Sequence, residues 1–237
     1  MSHPSLESIA TQLESDQSRD RLLALTALRD VEPEDAVPLI KKVLADENLQ
    51  VRTMAVFALG LKQTSECFGL LMELLADDDY GIRANAAGAM GYLRDPRAIE
   101  PLTQLFYEDG EWLVRFSAAV SLGNIGDPRA KEVLQEALKS DEAILQQGAI
   151  AALGEVGATE AVEAMLKFVQ SEDWLVRQRL AEALGNLPTE KTLPALRYLQ
   201  KDAHPQVSLA ASLAIARLEE ADAALEATLD GASGATA

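Results

Sequence analysis

Five arginines recur at a fixed interval along the chain: Arg21, Arg52, Arg83, Arg115 and Arg177. A column of guanidinium groups can bind a line of anions, or it can bond the carboxylates and carbonyls of adjacent turns and hold a stack together. Each arginine has a loop acid close by in sequence, so Arg52, Arg83, Arg115 and Arg177 are expected to be structural. The carboxylates collect in Asp46/Glu47, Asp77/Asp78/Asp79, Glu108/Asp109/Glu111, Asp141/Glu142 and Glu172/Asp173. One acid per turn suffices to cap a following helix and meet its dipole. Several turns carry more, which makes one edge acidic and suited to a basic partner or loosely held Ca²⁺. The ligand spacing of a dedicated calcium loop is absent, and no metal site is expected.

Aromatic residues share that edge. Trp112 and Trp174 lie three residues before Arg115 and Arg177, with Tyr80 and Leu49 at the same place in earlier copies. Each indole either covers the gap between copies or belongs to an aromatic contact edge of the kind that anchors protein partners. The one longer copy is expected to carry its extra residue in the Asp109-Gly110 turn, re-aiming Trp112. Counting one, two and five residues past each arginine marks the free face of a helix: Met54, Phe57, Asn85, Phe116, Ser117, Val120, Gln147, Gln178, Arg179 and Glu182. With Phe57, Phe116 and Val120 exposed, this face would be an apolar groove lining for a helix or planar ligand; Phe116 could instead turn inward. Tyr80, Trp112, Trp174, Phe57, Asn85, Phe116, Ser117, Val120, Gln147, Gln178 and Arg179 are the candidate partner-binding residues.

Catalytic groups are sparse. His3 and His204 are remote in sequence and form no Ser-His-Asp or Cys-His set, so no catalytic residue is assigned. Cys67, the lone cysteine, can form no internal disulfide and is expected to be a spectator thiol. Alone it holds no metal cluster, although a partner could complete such a site.

The elements behind these residues are copies of one another. Val51-Arg52, Ile82-Arg83, Val114-Arg115 and Val176-Arg177 repeat, and Leu145-Gln146 and Val207-Ser208 keep the register without the arginine. From Arg21 to Ser208 the step is 31 residues, once 32, as expected of a solenoid. The copy from Asp95 to Gly123 shows the unit. Asp95-Pro96 opens a first helix bearing Ile99, Leu102, Leu105 and Phe106, and a turn leads to a second helix from about Trp112 to Leu122. Gly123, like Gly60, Gly91, Gly154 and Gly185, is expected to stop that helix. Small residues three and six places after the arginine let second helices pack closely. These features predict an all-α superhelix of about seven two-helix repeats over 18–219. A lead-in and capping helix occupies 1–17 and an extension 220–237, disordered from about residue 230.

Composition agrees with helices. Of 237 residues 48% are hydrophobic but only 5% aromatic, and no alternating β-type runs appear. A net charge of −17 disfavours phosphate backbones, so nucleic acid is not expected as a partner. No apolar run reaches membrane-spanning length, and the N-terminus lacks a signal-peptide layout. A cytoplasmic location is expected.

The motif Val-Arg-x-x-Ala-x-x-Ala-Leu-Gly, with the loops Asp95-Pro96-Arg97-Ala98 and Asp127-Pro128-Arg129-Ala130, resembles the HEAT-like repeats of the phycobilisome-lyase type. The likeness spans about Ser18 to Glu219 and marks fold more than function. It is similar in length to NblB-like phycobilisome-degradation proteins and to HEAT partners of iron–sulfur scaffold proteins. What this resemblance implies is a scaffold for a phycobiliprotein, a phycobilisome component or an iron–sulfur scaffold protein, with no cofactor of its own. The alternative it implies is a phycobilin lyase-type subunit with a bound bilin. An iron–sulfur cluster enters only if shared with a partner.

Overall fold

Second helices begin where a short polar side chain can take their free N–H groups. Asn48, Asp79 and Asp173 each do so, their Oδ1 atoms accepting from backbone N–H groups one turn inside the helix. The chain is described here by a computed structural model covering the backbone of residues 5–233 and the side chains of 5–221, so His3 lies outside the described residues. Among those residues every regular element is helical, fourteen α-helices in seven consecutive pairs. This is the expected all-α, HEAT-like αα class.

Packing divides the chain into two units, Met1–Asp127 and Pro128–Ala237. In the first, α1 (Leu6–Leu13) pairs with α2 (Ser18–Ala27) and α3 (Pro33–Lys41) with α4 (Leu49–Lys62). Then α5 (Ser65–Leu74) pairs with α6 (Tyr80–Leu93) and α7 (Ile99–Glu108) with α8 (Trp112–Ile125). In the second unit α9 (Lys131–Ala137) pairs with α10 (Ala143–Glu155). There α11 (Val162–Met165), extended by a 3-10 turn to Phe168, precedes α12 (Trp174–Leu184), and α13 (Thr192–Leu199) pairs with α14 (Pro205–Ser233). Within each unit consecutive second helices lie side by side, burying residues such as Val51, Ala55, Val56 and Leu59. The helical α14 runs into the stretch expected to be disordered, through helix formers such as Ala and Leu, and 234–237 lie outside the described residues.

Of the five glycines that follow a leucine or methionine, four do not stop their helices, while Gly185 stands where its helix ends. Gly60, Gly91, Gly123 and Gly154 are inside α4, α6, α8 and α10, and Gly185 directly follows α12. The role of Gly60, Gly91, Gly154 and Gly185 is close approach. A Cβ on Gly60 would sit 2.9 Å from Ala89 Cβ, on Gly154 2.8 Å from Ala183 Cα, on Gly185 2.9 Å from Ala214 Cβ, and on Gly91 2.7 Å from Ser121 Oγ. The chain turns out of three second helices later, in the left-handed region, at Gln63 (φ 50°), Arg94 (φ 50°) and Gly126 (φ 75°).

The arginine column is a ladder. Six residues before each arginine a carbonyl accepts its Nη1: Ser15 from Arg21, Asp46 from Arg52, Asp77 from Arg83, Asp109 from Arg115 and Ser171 from Arg177. Gln146, in the arginine's place, donates in the same way to the Ser140 carbonyl at 2.6 Å. The carboxylates of that column reach back one copy. Asp46 pairs with Arg21, Asp109 with Arg83 and Asp202 with Arg177, each at 2.7 Å. The same aspartates accept the backbone N–H two residues on, which fixes the turn. These bonds tie each arginine to the turn before its helix, and Arg21, Arg83 and Arg177 also to a carboxylate of the next copy.

The ladder also relocates the extra residue. Asp109 stands six residues before Arg115, as in the other copies, but 26 rather than 25 residues after its rung partner Arg83. The insertion is therefore absorbed before Asp109, where α7 runs for ten residues, and not beside Gly110. Trp112 keeps the register of Trp174 and is not re-aimed.

Candidate functional site

Tyr80, Trp112 and Trp174 are each the first residue of a second helix, α6, α8 and α12. A side chain there projects over the preceding turn and away from the packed interior. Their exposures are 50%, 48% and 40%, and Leu49, first in α4, is 44% exposed. Trp174 stacks on His204 of the following copy, ring centroids 4.0 Å apart and planes 15° from parallel. One indole face is thus covered between copies, while a large part of the ring stays in solvent.

The carboxylates of this edge divide by role. Asp46, Asp109 and Asp202 belong to the ladder, and Asp79 and Asp173 are caps. For Asp109 burial is the largest single influence and pushes the carboxyl up, but the bond from Arg83, the Glu111 backbone N–H and the nearby charges of Arg83 and Arg115 together hold the group below the usual carboxylate range. Asp202 is held below that range chiefly by its bond from Arg177. Glu47, Asp78, Glu108 and Glu111 are left exposed. Among the described residues no three His, Cys, Asp or Glu side chains converge as metal ligands. Cys67 is fully buried, its Sγ 3.1 Å from the Thr64 hydroxyl.

On the free face of the second helices, Phe57 is exposed whereas Phe116, Ser117 and Val120 are half-buried. Phe116 thus turns partly inward. Several polar candidates are occupied internally. Asn85 Nδ2 donates to the Gly81 carbonyl one turn back, and Gln147 Nε2 donates to Asp173 of the next copy at 2.9 Å. Gln178 and Arg179 both donate to Glu182. Gln147 is therefore first a brace between copies. In the first unit the structure brings Phe57, Asn85, Phe116, Ser117 and Val120 onto one face, with Tyr80 and Trp112 on its turn edge. In the second it does so for Gln147, Gln178 and Arg179, with Trp174 on the edge.

Two exposed residues of that face escaped sequence reasoning. Leu61 and Tyr92 lie nine residues past Arg52 and Arg83, and Tyr92 meets Phe57 edge-on at 6.1 Å. Extending the count by one more turn would have found them. Lys62, by contrast, carried no signal. It is buried at a place where other copies have apolar residues, and its Nζ donates to the carbonyls of Arg29 and Val31.

Paired helices, a small-residue contact column and an arginine–aspartate ladder define a class, the αα-repeat arrays. The pattern of HEAT repeats matches residues 68–147 and 140–216, and the chain belongs to the HEAT-repeat family. No curated relative matches it by sequence. Among solved structures it is similar to a chain of the complex of CpcE and CpcF of phycocyanin lyase from Nostoc sp. PCC7120. That likeness has 21% identity, covers 92% of this chain and 96% of that one, and reaches a TM-score of 0.58. It is also similar to the structure of Kap95p with RanGDP, at 16% identity and TM-score 0.61, covering 93% of this chain but only 36% of that chain. An engineered protein matches at 22% identity and TM-score 0.54, covering 90% of this chain and 68% of that one. These likenesses show the fold of a HEAT-repeat array. No helix among the described residues is long and apolar enough to cross a membrane.

Proposed function

We propose that this chain is a non-catalytic scaffold that holds a protein partner through the free face of its second helices and the aromatic turn edge. The observation that carries the reading is the recurrence of Tyr80, Trp112 and Trp174 at one register position, all with exposures of 40% or more. Aromatic rings held at a helix start bring large contact area at little entropic cost, and such residues dominate protein interfaces. The partner class is a phycobiliprotein, another phycobilisome component or an iron–sulfur scaffold protein, met in the cytoplasm. The motif resemblance and the likeness to the phycocyanin lyase complex support the first two. The test is capture of partners from the source cell by the intact chain and by a Trp112→Ala/Trp174→Ala variant. A specific partner lost with the variant is expected; equal capture by both refutes a role for the edge.

The second reading, a bilin lyase-type subunit with the chromophore on the same face, is favoured by the exposed Phe57–Tyr92 pair, which offers rings to a planar ligand. Titration with a bilin separates the two. A saturable red shift abolished by Phe116→Ala or Trp112→Ala supports the lyase reading, and an unchanged spectrum supports the scaffold.

A further inference from the structure

The free face of the second helices is uncharged in one stretch of an acidic chain. In α4, α6 and α8, the positions one, two, five and nine residues past the arginine hold only neutral side chains, from Thr53 in α4 to Asn124 in α8. One residue in four of the whole chain is charged, so about three charges would be expected over these twelve positions, of which all but the buried Ala84 are at least partly exposed. The same positions of α10, α12 and α14 include Glu155, Arg179, Glu182 and Arg217, so the repeat itself does not impose neutrality. In the α4–α6 part of the neutral strip Phe57, Leu61 and Tyr92 are 42%, 40% and 47% exposed. Beside them, on α6, a Cβ on Gly88 would have no atom within 4 Å, leaving room for an incoming side chain.

We infer that this strip seats one amphipathic helix of a partner protein, its apolar face on Phe57, Leu61 and Tyr92 and its basic flank toward the turn edge. The inference rests on the protein-binding reading above and names the partner's chemistry. Three arguments select that occupant. A strip made of helix sides offers no backbone donors or acceptors, so an extended segment laid on it would bury unpaired amides, whereas a helix satisfies its own. The turn edge of the same copies carries exposed Glu47, Asp78, Glu108 and Glu111. Those four carboxylates outweigh the roughly half positive charge at each of the three helix N-termini, so the flank attracts cations. Finally, neighbouring helix axes lie about 8–10 Å apart, so crossing α4 to α8 takes about 16–20 Å. At 1.5 Å per residue that is a helix of roughly twelve residues, its apolar anchors at i, i+3 or i+4, and i+7.

The probe is a labelled synthetic helix of about fourteen residues with leucines at that spacing and lysines along one flank. Its controls are the same peptide with glutamates on the flank, and with alanines for the leucines. Fluorescence anisotropy on the intact chain should show binding of the Lys-flanked peptide, weakened about tenfold or more by each control and by Phe57→Ala/Tyr92→Ala. Both replaced residues are exposed, and thermal unfolding verifies that the variant is folded. A second variant, Gly88→Glu, separates the strip from bulk attraction. An added carboxylate strengthens binding of a lysine-rich peptide if charge alone drives it, and weakens it if a leucine must enter there. Stronger binding by Gly88→Glu, equal binding of the Glu-flanked peptide, or indifference to Phe57 and Tyr92 would overturn the inference. If a cellular partner is lost with the Trp112/Trp174 variant but kept by the Phe57/Tyr92 variant, the scaffold reading survives and this strip does not. If the peptide binds as expected and no partner is captured, the scaffold reading is the one that fails.

Discussion

Replacing a mid-helix glycine by alanine ordinarily stabilises a helix by about 0.8–1.0 kcal/mol, because the backbone loses less freedom on folding. In this chain the sign should depend on which glycine is chosen. Gly69, in α5, is exposed, and an added Cβ would have nothing within 4 Å. Gly69→Ala is therefore expected to stabilise by roughly the full propensity gain of about 1 kcal/mol. Gly60, in α4, faces the next copy, and its Cβ would lie 2.9 Å from Ala89 Cβ and 3.0 Å from Ala89 Cα. The second contact is backbone, so relief requires α4 and α6 to separate, and overpacking of this kind costs about 1–3 kcal/mol. Subtracting the propensity gain leaves Gly60→Ala destabilised by roughly 1 kcal/mol, about 2 kcal/mol below Gly69→Ala. Thermal unfolding followed by far-UV circular dichroism, with urea titration of the same variants, reads the difference. For a chain of this size it amounts to a gap of about 4–8 °C in Tm. Adding Ala89→Gly to Gly60→Ala should restore part of the loss, so the double variant costs less than the sum of the single ones. Equal stabilisation by Gly60→Ala and Gly69→Ala would refute the close-approach reading.

Asp202→Asn removes the carboxylate that pairs with Arg177 and should cost about 1–3 kcal/mol at neutral pH, measured by urea unfolding. Because the folded-state carboxyls of Asp109 and Asp202 sit below their usual range, their contribution is full above about pH 4–5. It is lost as pH falls through the depressed folded values, so stability should decline on acidification, and less steeply in Asp202→Asn. An equally steep acid profile in that variant would remove Asp202 from the account. Arg94 holds a left-handed conformation with an exposed side chain, and Arg94→Gly should raise stability by about 1 kcal/mol in the same assay. Gln63→Gly should gain less, since Gln63 also donates to the Tyr92 carbonyl.

The repeat period was legible because a two-helix unit must present the same small and large residues to each neighbour, and that demand is written residue by residue. The arginine ladder was legible for a related reason: Arg83 and Asp109 are complementary groups at a near-constant interval. The glycines were misread because a glycine that ends a helix and one that admits a neighbouring helix look alike in one dimension. Only the position of Ala89 against Gly60 separates them. The insertion was misplaced because Gly110 is an obvious turn residue, while the bond from Arg115 to the Asp109 carbonyl that fixes the register is invisible in sequence. At the candidate site, the exposure of Trp112 follows from its place at a helix start. The stack of Trp174 on His204 depends on how far the next copy is rotated, which no local pattern encodes. Gln147 likewise reads as a free surface amide until Asp173 is placed beside it.

The absorption of one extra residue ahead of Asp109 bears on how such chains can grow. In the copies that carry the aspartate, the start of the second helix is pinned as a cassette by an Asx turn, and at Asp46, Asp77 and Asp109 also by an arginine bond to the carbonyl. The first helices are not bound in that way: α7 spans ten residues, α9 seven and α11 four before its 3-10 turn. Length changes can therefore accumulate on the first-helix side without disturbing the face that the second helices present. A lineage could trim or extend that side freely, and duplicate or delete whole cassettes, while the spacing of the second-helix face changed only in steps of one helix.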